Sequence, residues 1–410
     1  MTQSRRLFLP TLAGLYATSS LSSGQAQSRG GFVHTSGKDL ISPSGGKLRL
    51  RGINLGNWLE PEGYMFLFDD GPQSPREIET LFNELIGPSA AKQFWIQYQR
   101  EYITKADIDY LAASGFNSVR IPLHYKFFLT DGDIGFELLE PVVKACAQAK
   151  LWVILDMHCA PGGQTGTNID DSWGYPWVFD SEQDQQLTCD IWKRIAKHYR
   201  DETIVLGYDL LNEPIPHFPQ LRHYNSALDP LYKRIVKAIR EVDRNHVVIL
   251  GGAQWDSNFE VFGPPFDENS MYTFHKYWTP PNQESIQPYL DFRDRYKVPI
   301  WLGESGENDD EWITQFVRVL ETNNVGWCFW PYKKMEKATC VRSVLKPPYW
   351  DEVIAFAKLP VGTGNAEKRI AARPTPEHLR TVFDGLLANI RLDACRPNPG
   401  YLHALGLITG

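Results

Sequence analysis

The chain has 410 residues, 42% of them hydrophobic and 22% charged, the balance of a globular protein long enough for one large barrel or two smaller domains. Its net charge of -7, with no basic stripe along the chain, argues against a nucleic-acid or anionic-membrane partner, because both need cationic side chains to neutralise phosphate. Aromatic side chains reach 13%, with 13 tryptophans, a store of flat apolar surface that serves a core or the C–H faces of sugar rings.

At the N-terminus, Ser4-Arg5-Arg6-Leu7-Phe8-Leu9 resembles a twin-arginine export signal. An uncharged stretch runs from Leu7 to Gln25 and ends in the small-residue site Gly24-Gln25-Ala26. Residues 1–26 are therefore expected to be a removable leader, with a mature protein in the periplasm or outside the cell. Pro10 and the many serines and threonines speak against a membrane-spanning first helix. Gly31 to Leu50 carries two turn signals between short apolar pieces and predicts a small hairpin.

Short apolar runs then recur at Leu50–Leu55, Ser118–Ile121, Trp152–Met157, Val205–Leu211, Val247–Leu250, Met271–Phe274, Ile300–Leu302 and Gly326–Trp330. Helical periodicity fills the intervals at Lys105–Ser114, Leu138–Ala149, Glu182–Tyr199, Leu228–Val242, Pro288–Tyr296 and Glu311–Glu321, with Tyr349–Phe356 after the eighth run. This alternation predicts an α/β fold, a TIM (β/α)8 barrel over residues 27–358, with an N-terminal hairpin and a C-terminal helical appendage over 359–410. An open doubly wound sheet would show a glycine-rich phosphate turn after its first strand, and Asn54-Leu55-Gly56-Asn57-Trp58 is not one. The connection from Gly56 to Thr104 is long enough for its own helices, near Pro75–Leu85 and Ala90–Tyr102, and is expected to wall the top of the barrel. In the appendage, a helix is expected from Glu377 to Asn389. The six cysteines lack metal-binding spacing and read as small buried apolar residues, with Cys328 and Cys340 the first pair to test for a disulfide.

A TIM barrel carries its chemistry at the C-terminal ends of its strands. Those ends offer Arg120, His158, Asn212, Glu213, His275, Tyr277, Glu304 and Trp330. Retaining cleavage of a glycosidic bond needs two carboxyl groups about 5–5.5 Å apart, one protonated and one ionised. Glu213 after the fourth strand and Glu304 after the seventh answer that need: Glu304 as nucleophile, held charged by Arg120 and Tyr277, and Glu213 as acid/base in a less charged setting. Asn212 is placed for a sugar 2-hydroxyl and Trp330 for the floor of the subsite. Bland readings stand beside these: Arg120 as a structural ion pair, Tyr277 and Trp330 as packing, and Asp156 with His158 as a metal pair on one strand face.

Val119-Arg120-Ile121-Pro122, Leu155-Asp156-Met157-His158, Leu211-Asn212-Glu213-Pro214, His275-Lys276-Tyr277, Leu302-Gly303-Glu304-Ser305 and Phe329-Trp330 resemble the successive strand-end motifs of glycoside hydrolase family 5, the cellulase-like retaining β-glycosidases. The resemblance implies Glu213 as acid/base, Glu304 as nucleophile, and Arg120, His158, Asn212, His275, Tyr277 and Trp330 as substrate-holding residues. It also implies no metal and no organic cofactor. Arg51 to Pro61 and His158 to Gly166 are similar to the β-1,3-glucanase branch, in which an acidic residue of the first loop binds the terminal glucose; by position that role falls on Glu60, which otherwise reads as a surface or helix-capping residue. Pro331-Tyr332-Lys333-Lys334 departs from that branch. The expected substrate is a β-glucan, with β-mannan or another β-glycan on the same frame as the alternative and a non-catalytic glycan-binding barrel as the remote one. The protein is expected to act as a monomer, free of nucleic acid and of the membrane once its leader is removed.

Overall fold

The computed structural model describes residues 30–130 and 133–407, so the leader expected over residues 1–26 lies outside the described residues. Eight parallel strands close into a barrel: β1 (Arg51–Asn54), β2 (Ser118–His124), β3 (Trp152–Cys159), β4 (Val205–Asp209), β5 (Val247–Gly251), β6 (Ser270–His275), β7 (Ile300–Glu304) and β8 (Gly326–Phe329), with β8 paired to β1. They lie within two residues of the expected bounds except at β2, which runs three residues further. Every residue of β2, β4, β5, β6 and β7 is buried, as strands sandwiched between a filled barrel and a helical ring must be.

Four of the helices around the barrel, those starting at Pro75, Lys105, Glu182 and Asp310, begin at a capping side chain. Thr104 and Asp107 close a capping box on α3 (Lys105–Ala113), as Ser74 and Glu77 do on α1 (Pro75–Ile86). Between them runs α2 (Pro88–Tyr102); α4 (Ile134–Ala149) follows β2, α5 (Glu182–Tyr199) follows β3 with Ser181 as its cap, and α6 (Asn225–Arg240) follows β4. After β6 and β7 come α7 (Gln287–Tyr296) and α8 (Asp310–Thr322), and α9 (Trp350–Ala357) follows β8. The eightfold alternation has one exception. Between β5 and β6 the chain makes only short turns, and Gln254, Trp255 and Asp256 take consecutive left-handed conformations at φ +54°, +56° and +58°. Three non-glycine residues in that region store strain, and they do so at the rim of the barrel mouth.

The expected N-terminal hairpin is present as a sheet of three short antiparallel strands, and Val33 and Leu40 of this segment join Leu50, Ile154, Ile249 and Trp301 in a cluster. The wall built by α1 and α2 is propped from outside. Phe383 of α10 (Pro376–Asn389) meets Phe82 and Phe94 edge to face, and Leu379, Val382 and Leu386 are buried in the barrel's main cluster. Lys333, wholly buried, ties these parts together: its ammonium pairs with Asp107 at 2.7 Å and donates to the carbonyls of Tyr102 and Ile390. All six cysteines are buried and free; Cys328 and Cys340 do not pair.

Candidate active site

Arg120, from the middle of β2, is the hub of the barrel mouth and is fully buried. Its guanidinium pairs with Asp156 of β3 at 2.9 Å, Asp209 of β4 at 2.8 Å and Glu304 of β7 at 2.6 Å, and also donates to the side-chain oxygens of Asn54 and Asn212 at 3.0 Å each. A buried arginine fork with five partners from four strands, Asp209 and Asn212 both belonging to β4 and its end, fixes their relative positions. Burial is strong enough that Asp156 and Asp209 are pushed up to about 7 despite Arg120.

The two glutamates sit in different surroundings. Glu304 accepts from Arg120 through Oε1 and from the Tyr277 hydroxyl through Oε2 at 3.0 Å. Glu213 has φ +48° and its backbone N–H donates to Asp256 at 3.1 Å; burial pushes its carboxyl up to about 7, with His158 and Arg120 pulling the other way. His275 stands between them, its Nδ1 2.9 Å from Glu213 Oε1 and 3.7 Å from Glu304 Oε2, and burial lowers it to about 3, leaving a neutral ring. Oxygens of Glu213 and Glu304 and a nitrogen of His275 all lie within 4.8 Å of one another. Such a close approach of the two carboxylates is compatible with the short separation of about 5–5.5 Å between carboxyl groups that retention uses.

His158 Nδ1 faces Asp156 at 2.8 Å, its Nε2 receives Asn212 at 3.3 Å, and burial lowers it to about 4. Its ring stacks on Trp330 with 11° between planes. Trp330 in turn donates to the Tyr64 hydroxyl at 2.6 Å. Gly56 lies so close beneath that a Cβ there would come within 2.3 Å of the Trp330 indole, which is why the first loop carries glycine at this point. The cleft above this floor has a volume of about 770 Å³ and is lined by His158, Asn212, Glu213, His275, Tyr277, Glu304 and Trp330.

All eight strand-end candidates thus converge, seven on the cleft and Arg120 beneath it. Glu60 does not line the cleft. It is wholly buried, with its carboxylate 4.0 Å from His158 Nε2 and no hydrogen-bond partner for either oxygen, and burial first, then Glu62, raises it well above the carboxylate range. Glu62, two residues on, faces the cleft instead. Among the described residues, Glu60, Glu62 and His158 form the second group, beside the glutamate pair with His275, that brings metal-ligand atoms within 4.8 Å. Asp156 itself is committed to Arg120 and His158 rather than left open beside its neighbour.

Sequence reading missed Asn54, Asp209, Asp256 and Gln164. Gln164 donates to the carbonyls of His158 and Asn212 and so locks two strand ends together. Asp209 carried a usable signal, since a charge inside a run buried on both faces must be paired. Asp256 carried none, because the left-handed turn that aims it at Glu213 has no sequence pattern of its own.

The family model described as cellulase, glycosyl hydrolase family 5, matches residues 80–336. The chain belongs to glycosyl hydrolase family 5. A β-xylosidase of Phanerodontia chrysosporium is 25% identical over 367 residues, covering 78% of this chain and 74% of that protein. A probable glucan endo-1,6-β-glucosidase B of Aspergillus flavus is 26% identical over 356 residues, covering 74% and 88%. The fold is shared with Thermotoga maritima Cel5A, solved in complex with mannotriose, at a TM-score of 0.51 and 20% identity over 75% of this chain and 96% of that one. This family 5 member is a retaining β-glycoside hydrolase.

Proposed function

We propose that the enzyme hydrolyses a β-glucan by double displacement, with Glu304 as nucleophile and Glu213 as acid/base. The observation that carries the residue roles is the pair of carboxylates, with an oxygen of each within 4.8 Å of the other, in opposed settings: Glu304 under two donors and Glu213 pushed up to about 7 by burial. In the first step a Glu304 oxygen attacks the anomeric carbon, the glycosidic C–O bond breaks, and the Glu213 proton goes to the leaving oxygen. In the second, Glu213 takes a proton from water, the water oxygen attacks the anomeric carbon, and the bond to Glu304 breaks. Arg120 and Tyr277 hold Glu304 on line, Asn212 is within reach of the 2-hydroxyl, and His158 and Trp330 form the floor. A glucan rather than a mannan is favoured by the first-loop and His158 to Gly166 tracts, and by relatives named as a glucan 1,3-β-glucosidase and a probable glucan endo-1,6-β-glucosidase. The test is a panel of laminarin, mixed-linkage glucan, carboxymethyl-cellulose, xyloglucan and mannan, with proton NMR of the first product. A β-glucan cut with a β-configured first product is expected. Preference for mannan overturns the substrate, and an α-configured product overturns the mechanism.

The arginine pair at Arg5 and Arg6 and the Gly24-Gln25-Ala26 site support export by the twin-arginine route. Arg5→Lys with Arg6→Lys is expected to leave precursor in the cytoplasm. Unchanged export with an uncleaved N-terminus would replace the leader by an anchor.

A further inference from the structure

The two ends of the cleft are built differently. Beyond Glu213, on the side where the leaving group departs, the cleft is lined by the half-exposed Phe218 and by Trp255, an aromatic mouth suited to many ring faces. The cleft is also lined by Glu62, Tyr64 and Glu307, tied to the Trp330 floor through the Trp330–Tyr64 hydrogen bond and to the exposed Trp278 through the Glu307 carbonyl. Behind them stands Lys334, 4% exposed, whose ammonium is held by both oxygens of Glu307 at 2.7 and 2.6 Å and lies 4.5 Å from the Tyr64 ring centre. Glu307 has φ +50°, and its carbonyl accepts from Trp278, so the residue is fixed from both its side chain and its backbone. The wall is rooted in the molecule's interior, because neighbouring Lys333 is pinned to Asp107, Tyr102 and Ile390.

We propose that the Glu307–Lys334 pair is the specificity-determining end wall of the glycone side, which admits one terminal sugar and makes the enzyme act from non-reducing chain ends. The inference rests on the proposed roles of Glu213 and Glu304, which fix the direction of the cleft. The anomeric carbon must lie between those two groups, so the far edge of the same ring, with its terminal hydroxyls, faces Glu62, Tyr64 and Glu307. A carboxylate whose lysine partner holds it rigid offers its remaining lone pairs to those hydroxyls. A further sugar attached there would have to displace an ion pair whose lysine is buried and whose carboxylate is largely so, and stripping that lysine of its partner is resisted.

Reducing-end-labelled β-gluco-oligosaccharides of five units, sampled at early times, test the idea. The wild type is expected to release single sugars and labelled tetrasaccharide, and to leave the viscosity of soluble β-glucan nearly unchanged. Glu307→Gln, close in size, is expected to raise KM for the shortest oligosaccharides by about tenfold with a smaller change in kcat, the loss of one charge-assisted contact. Glu307→Ala combined with Lys334→Ala is expected to add disaccharide or longer fragments to the early products; a thermal melt of each variant confirms that it is folded. Random internal cutting by the wild type, or a variant with wild-type products and KM, overturns the end wall while leaving the mechanism in place. Failure of the wild type on every β-linked substrate, aryl β-glycosides included, overturns the underlying reading instead.

Discussion

Replacing Glu213 by glutamine removes a titratable proton while keeping the size of the side chain, and its effect should depend on the leaving group. At pH 6 an acid titrating at about 7 is protonated in about 0.9 of molecules, against about 0.03 for a carboxyl at its ordinary 4.5, so the site multiplies its working acid about 30-fold. The proton itself is worth about 10²–10⁴ in rate where the leaving oxygen is basic. For a β-linked disaccharide, kcat/KM of Glu213→Gln should therefore fall by about that factor. For a dinitrophenyl β-glycoside, whose phenolate leaves unaided, the first step should change by less than about tenfold. Wild-type kcat/KM on the disaccharide should also decline above about pH 7 as Glu213 loses its proton, and the variant should lose that limb. Stopped assays with the two substrates from pH 4 to 9 decide the matter. Equal losses on both, or a variant that keeps the limb, would refute the assignment of the acid.

Tyr277→Phe deletes one charge-assisted donor to Glu304, worth about 1.5–3 kcal/mol, and kcat should fall about 10- to 150-fold with little change in melting temperature. Lys333→Ala leaves buried Asp107 without its counter-ion, though still bonded to Thr104 and Tyr332, and two carbonyls without their donor, and should cost about 3–5 kcal/mol in denaturant unfolding. Between pH 6.5 and 8 the fold should lose stability. Asp156, Asp209 and Glu213 are raised to about 7 by burial, so they bind more protons folded than unfolded, and their contribution, full below the unfolded values near 4, is lost as pH rises through 7. The depressed histidines His124, His158 and His275 act the other way only below 6.5, where the unfolded rings charge. Calorimetry showing a melting temperature that rises from pH 6.5 to 8 would contradict this.

The barrel was legible because its strands are continuous apolar runs with polar residues waiting at their ends, and that pattern fixed which side chains would meet. Arg120, Glu213 and Glu304 could be placed from it because strand ends in a closed barrel share one face. What could not be read depends on loops. Glu60 and Glu62 lie two residues apart in one irregular stretch, where no periodicity says which is enclosed and which, as Glu62 does, lines the cleft. The sequence shows no helical periodicity between the fifth and sixth strands, and no returning helix forms there, but the turn itself was invisible for a related reason: its three left-handed residues are set by tertiary contacts, among them the paired amides of Asn225 and Gln254, rather than by propensity. The helix of the appendage was legible but not what it packs on: α10 buries Leu379, Val382, Phe383 and Leu386, enough to prop the wall.

Trapping the covalent intermediate tests the central claim most directly. A dinitrophenyl 2-deoxy-2-fluoro-β-glucoside reacts through the first step and stalls before the second, so intact-mass spectrometry should show one added fluoroglucosyl group with a burst of one dinitrophenolate per enzyme. Peptide mapping should then find the label on Glu304. Labelling of any other residue, or complete turnover without a covalent adduct, would contradict the account.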